Sequence, residues 1–258
     1  METLMNTPLL TIITINYNNA EGLKRTVKSV LSQSINDYSL IEYLIIDGAS
    51  TDESVTFLKE IDACKGQFNL FWTSEPDSGI YNAMNKGIKK AHGKYIHMLN
   101  SGDYLEENIL NDITEKLKKD PDLLLCGLNL VENSEIIKTE VRYPEHLYFG
   151  SMSHQGMIYK KSLHDIHGLY DESYRFASDY DFSIKAFYKK PLKIEALYKP
   201  CVNFICGGVG ASDKSMKELE DIKIKAGITV RIKPNYFKKF IKLFMPYGLY
   251  FLYKKISK

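Results

Sequence analysis

The chain has 258 residues, with 34 Lys and Arg against 32 Asp and Glu, a formal net charge of +2. That length buries a sizeable core and fits one large domain, and a 44% apolar fraction with 26% charged residues is that of an ordinary globular protein. Eight of the basic residues and no acid fall in residues 231–258, so the remainder is net acidic, which argues against a nucleic-acid binder.

Leu9–Ile15 is apolar and β-branched, as a strand buried on both faces should be, and it ends in Asn16–Tyr17–Asn18–Asn19. It is too short for the core of a signal peptide, and no stretch reaches the roughly 18–20 apolar residues of a spanning helix. The expected compartment is the cytoplasm. Ala20–Ser34 reads as a helix with Leu23, Val27, Val30 and Leu31 on one face. Tyr43–Ile46 is a second buried strand, running into Asp47–Gly48–Ala49–Ser50–Thr51–Asp52. Ser54–Ile61 gives a second helix and Gln67–Trp72 a third strand. Strand–helix alternation of this kind predicts a doubly wound α/β sheet. No GxGxxG or GxxxxGK[ST] follows a strand, so dinucleotide and P-loop sites lose their main support.

Residues 74–103 are the most informative stretch. Ile80, Ala83, Met84, Ile88 and Ala91 fall at helical spacing, with Asp77 and Ser78 at the expected N-cap and Gly93 at the expected stop. Lys94–Leu99 then reads as a buried strand that runs into Asn100–Ser101–Gly102–Asp103. Ligands of open α/β sheets bind at the carboxyl ends of such strands.

Beyond it, Glu106–Lys119 is an amphipathic helix, and Leu123–Val131 is a strand with a hairpin partner at Ile136–Tyr143. His154 and Gln155 precede a short strand ending near Tyr159. Tyr174–Phe187 starts a helix with Phe182, Ala186 and Phe187 facing the core. Asp179 and Asp181 sit near its start, two residues apart, and cannot share one helical face. Lys193–Phe204 is a late strand, Gly207–Ser212 a Gly-rich loop, and Ser212–Val230 a helix. In Tyr236–Lys258 an apolar stripe (Phe237, Phe240, Ile241, Phe244) lies opposite Lys238, Lys239 and Lys242. Such helices bind anionic membranes or pack on their own protein. Cys64, Cys126, Cys201 and Cys206 show no CxxC spacing and read as free thiols.

The succession Ser-Glu-Pro-Asp-x-Gly (74–79), Asn-Lys-Gly (85–87), Gly-Lys-Tyr-Ile (93–96) and the tetrad 100–103 resembles inverting glycosyltransferases of family 2, over roughly residues 9–210. Nearest in pattern are small bacterial enzymes that build exopolysaccharide, capsule and O-antigen units. The resemblance implies a GT-A fold: a Rossmann-like, mostly parallel sheet flanked by helices over residues 1–230, followed by a basic amphipathic tail at 231–258. Its nucleotide-binding half would span about 8–104 and its acceptor half about 105–230. It implies a nucleotide-diphosphate sugar donor, held by Tyr17, Asp47, Asp77, Gly79, Asn85, Lys86, Asn100, Gly102 and Asp103, and a lipid-linked saccharide acceptor.

Asp47 would bind the nucleoside, or else serve the turn, for which Asp52 is the better candidate. Tyr17 would flank the base or lie free on a loop. Mg²⁺ or Mn²⁺ on the diphosphate would be held by Asp103, since Asn100 and Gly102 stand where carboxylates often stand. His154 and Gln155 would lie near a sugar, or His154 is a buried, hydrogen-bonded histidine. Inverting transfer needs a carboxylate beside the acceptor hydroxyl. Asp179 matches that position, with Asp181 as the alternative. The loop at 207–212 resembles a closing segment over the donor. A lipid-linked acceptor would place the enzyme at the inner face of the cell membrane. Two rivals stand beside this reading. A sugar nucleotidyltransferase would carry a Gly-rich basic loop in place of Asn16–Asn19. A non-catalytic binding protein of the same fold has only Asn100 and Gly102 in its favour.

Overall fold

The computed structural model describes residues 7–62, 66–141, 143, 153–207 and 213–228. The tail, most of the 207–212 loop and Cys64 lie outside them. The first half of the chain follows the expected alternation. Its elements are β1 (Leu10–Asn16), α1 (Ala20–Leu31), β2 (Ile41–Asp47), α2 (Ser54–Asp62), β3 (Asn69–Ser74), α3 (Ile80–Lys90) and β4 (Tyr95–Met98). The second half contains β5 (Tyr104–Leu105), α4 (Leu110–Leu117), β6 (Leu123–Glu132), β7 (Glu135–Glu140), β8 (Met157–Lys160), α5 (Ser162–His167), α6 (Ser178–Phe187), β9 (Ile194–Ile205) and α7 (Asp213–Lys225).

One sheet runs through both halves in the order β3-β2-β1-β4-β8-β6-β9-β5, with β7 paired to β6. The first four strands are mutually parallel. Beyond β4 the sheet is mixed: β8 is antiparallel to both β4 and β6, whereas β6 and β9 are parallel. Alternation along β1 feeds two cores, because successive side chains point to opposite faces. Leu10 and Ile12 join Leu23, Val27 and Val30 of α1, while Ile13 and Ile15 join Met84 and Ile88 of α3. Each such side chain contributes about 1.5–3 kcal/mol when fully buried.

Two local expectations change. The apolar face of α3 holds at Ala83, Met84, Ile88 and Ala91, but at its start Ile80 is exposed and Tyr81 faces inward instead. Its N-cap is Gly79, not Asp77 or Ser78; Asp77 instead accepts a hydrogen bond from Gly79 N (2.9 Å). At the other end the helix leaves through an extended Ala91. Gly93 therefore serves a close crossing over β1. A Cβ there would stand 2.5 Å from both Thr11 N and Thr11 Oγ1.

Candidate active site

The loops at the carboxyl ends of β1, β2 and β4 are tied together by one asparagine. Asn16 Nδ2 donates to Asp47 Oδ1 (2.8 Å), and its Oδ1 accepts from Ser101 Oγ (2.8 Å). Asp47 is fully buried and also accepts from Ser50 N (2.9 Å), Ser50 Oγ (2.6 Å) and Ser74 Oγ (2.7 Å). Both of its oxygens are turned to protein donors, so in this structure Asp47 ties together the floor of the cleft. The groups that do face outward here are Tyr17, 66% exposed, and Asp77, and both lie against Gly48.

The tetrad continues along β1, Ser101 N donating to Ile15 O, and is pinned to α1 by Thr26, whose Oγ1 accepts from Gly102 N (2.9 Å) and donates to Asp103 O (2.6 Å). Gly102 has φ +109°, a conformation that side chains disfavour, and this lets the loop double back. Asp103 was expected to hold a metal, but it points inward and is 5% exposed. Its Oδ2 accepts from Gln155 Nε2 and its Oδ1 from Ile205 N, both at 2.9 Å. Burial pushes its carboxyl up to about 7, against the pull of the Ile205 amide. As placed, Asp103 does not fit as a cation ligand; it ties the tetrad to the end of β9.

Gln155 is likewise internal. It is 3% exposed, with its amide on Asp103 and its carbonyl accepting from His97 Nε2 (2.8 Å). That double anchorage fixes the turn at His154–Gly156 and aims His154 at the loops. His154 Nδ1 lies 3.1 Å from Asp179 Oδ2, and its Nε2 3.0 Å from Asn100 Nδ2. Asp179 Oδ1 accepts from Tyr81 OH (2.8 Å). Burial first, and Asp179 second, hold the Tyr81 phenol far above its ordinary value, so it stays a neutral donor. Asp179, His154 and Asn100 thus come together from α6, the 154–156 turn and the tetrad. Asp181, on the same helix, is paired with Lys185 (2.6 Å).

Asn85 and Lys86 are drawn away from this cleft. The Asn85 amide staples α3 to Tyr170, donating to its O (2.9 Å) and accepting from its N (3.0 Å), and also donates to Glu172. Lys86 donates to Pro76 O (2.7 Å) and pairs with Glu75. Sequence reasoning did not single out Tyr81, Asn16 or Ser101. Tyr81 follows Ile80 at the start of α3 and takes the inward place expected of it; Asn16 and Ser101 lie in polar strand-end loops whose pattern does not tell which side chains bond to one another.

Three buried titratable groups set an acid response. Burial lowers His97 and His164 to about 4, so the folded chain keeps them neutral while the unfolded chain protonates them near 6.5. Asp103, raised to about 7, works in the opposite sense, because the folded state takes up its proton first. Between about pH 6.5 and 4 the three together cost about one net proton, or about 1.4 kcal/mol per pH unit. Urea denaturation at stepped pH should show stability falling over that window, and His97→Gln should flatten the fall.

Comparison with known proteins agrees with this geometry. The model of the family "Glycosyl transferase family 2" matches residues 11–171. An uncharacterized glycosyltransferase of Mycobacterium tuberculosis is 30% identical over 229 residues, covering 85% of this chain and 84% of that one. Chondroitin synthase of Escherichia coli is 27% identical over 83% of this chain, which spans 31% of that longer protein. Among solved structures, TarS 1–349 of S. aureus in complex with UDP-GlcNAc superposes with a TM-score of 0.69 at 17% identity, covering 88% of this chain and 68% of that one. The mannosyltransferase PcManGT of Pyrobaculum calidifontis, in complex with GDP-Man and Mn²⁺, gives 0.63 at 16% identity, covering 94% and 72%. The shared sheet is the GT-A fold, and the chain belongs to glycosyl transferase family 2.

Proposed function

We propose that this chain moves a sugar from a nucleotide-diphosphate sugar to a saccharide acceptor, with inversion, Asp179 taking the proton of the acceptor hydroxyl. The observation that carries this reading is the placement of Asp179. It stands in the first turn of α6, and it is linked through His154 to the tetrad loop, where an α/β sheet holds its ligand. Tyr17 and Asp77 would receive the nucleoside, and the tetrad loop the diphosphate. Residues about 8–104 would thus supply the donor site, and residues about 105–230 the base and the acceptor side. Donor binding is supported by the nucleotide sugars named with both fold neighbours. Slow release of free sugar from UDP-, GDP- or dTDP-sugars by the purified chain tests the reading; no turnover or binding of any of them would sink it.

The Mn²⁺ named with the archaeal neighbour supports a divalent cation in this fold. In this chain both Asp103 oxygens accept hydrogen bonds from protein donors, so the residues present do not fit a cation held there. No step is assigned to one.

A lipid-linked acceptor at the inner membrane face is supported by the composition of residues 231–258. Among the described residues no helix is long and apolar enough to cross a membrane. Each basic residue near an anionic surface adds about 1 kcal/mol, screened by salt. Removing residues 236–258 should release the protein from anionic vesicles in a co-sedimentation assay while leaving donor hydrolysis intact. Absence of pelleting by the full chain at low salt would refute the membrane role.

A further inference from the structure

A departing nucleoside diphosphate gains negative charge, and a dry cleft stabilises it with donors or positive charge placed in advance. The tetrad loop has no open carboxylate to collect a cation: Asn100 and Gly102 carry none, and Asp103 is engaged by Gln155 and Ile205. A basic side chain does touch that loop. His154 reaches Asn100 with Nε2 and Asp179 with Nδ1, and the contact with Asp179 is an ion pair whenever the ring is protonated. His97 on β4 holds the turn that carries it, through the backbone carbonyl of Gln155.

Asn100 suits either state of that ring, as a carboxylate would not. Its Nδ2 can donate to a neutral Nε2. Alternatively its Oδ1, which is buried without a hydrogen-bond partner, can accept from a protonated Nε2 after the amide turns over.

We propose that His154, as an imidazolium held between Asp179 and the Asn100 amide, supplies the positive charge that stabilises the leaving diphosphate. This rests on the transferase reading. In the ground state the Asp179 carboxylate balances the imidazolium. As the acceptor oxygen bonds to the sugar carbon, its proton passes to Asp179, and the carbon–oxygen bond to the phosphate breaks with its electron pair going to the diphosphate. His154 keeps its proton throughout. Its charge loses its balance at Asp179 just as negative charge arrives on the diphosphate. The interaction is therefore strongest in the transition state, which is the condition for lowering the barrier.

Titration calorimetry in EDTA, with UDP, GDP and dTDP against uridine, guanosine and thymidine, tests this. Asp179→Ala takes away the balancing carboxylate without setting an amide donor against Nδ1, so at about pH 5.5, where an unpaired imidazole stays protonated, it should bind its preferred diphosphate about tenfold more tightly than the parent chain. The gain should vanish in Asp179→Ala/His154→Gln, with nucleoside affinity unchanged, which also shows that the double variant is folded. His154→Gln alone should lower kcat about 10- to 100-fold with little change in donor KM. Equal diphosphate affinity in the single and double Asp179 variants would overturn the proposal. So would binding that EDTA abolishes and Mn²⁺ restores, although the transferase reading would then stand. If none of the three diphosphates binds any of the proteins, that reading falls and the proposal with it.

Discussion

Asp179→Asn is expected to reduce turnover by a factor of about 10²–10⁴ without weakening donor binding. An asparagine in this position still accepts the Tyr81 hydroxyl through its carbonyl oxygen, so the start of α6 keeps its anchorage to α3. What it lacks is a basic oxygen to take the acceptor's proton. Asp181→Asn removes only a bridge to the half-exposed Lys185, which is worth little, and should leave turnover within a few fold. Steady-state rates and donor affinity for the two variants decide between the carboxylates. An inactive Asp181→Asn beside an active Asp179→Asn would move the role to Asp181.

Asp47→Ala is expected to cost stability first and nucleotide binding as a consequence. It would strand Ser50 N, Ser50 Oγ and Ser74 Oγ and leave Asn16 Nδ2 with Ser54 Oγ as its main acceptor, where four donors are now directed at one buried carboxylate. Removing one side of a buried charged network costs about 3–5 kcal/mol, enough to lower the melting temperature by many degrees. Asp77→Ala, in contrast, should leave the melting temperature nearly unchanged and weaken nucleotide binding. If Asp47→Ala melts like the parent chain and only loses the nucleotide, then Asp47 is a direct ligand after all.

These two variants also mark how far the residues could be read before the fold was known. The alternation of strands and helices up to residue 98 was legible because β1, β2 and β4 are short apolar runs that end in polar loops. The insertion of β8 between β4 and β6, antiparallel to both, was not legible, because periodicity carries no information on which strands pair. At the site, the position of Asp179 followed from a motif at a helix start. The inward turn of Asp47 and Asp103 did not, because a carboxylate at a strand end looks the same in sequence whether it faces solvent or a neighbouring strand's donors. The two-residue strand β5, beside the tetrad, was invisible for want of length.

The order of strands in the sheet also sets an order in time. β1 to β4 occupy residues 10–98 and, among the described residues, pair only with one another and with β8, so they can form their parallel core from the first part of the chain alone. The β6–β9 pairing joins segments about 70 residues apart, and long-range pairing of that kind is slow to form because the intervening loop must close first. The amide that caps Asp103 belongs to Ile205, and Asp179 stands on α6; both come late in synthesis. A chain emerging from the ribosome would therefore fold the sheet of β1–β4 before Asp179 and the end of β9 are in place. Pulse-labelled hydrogen exchange during refolding should find β1–β4 amides protected before those of β9, and simultaneous protection would show the two halves to be one folding unit.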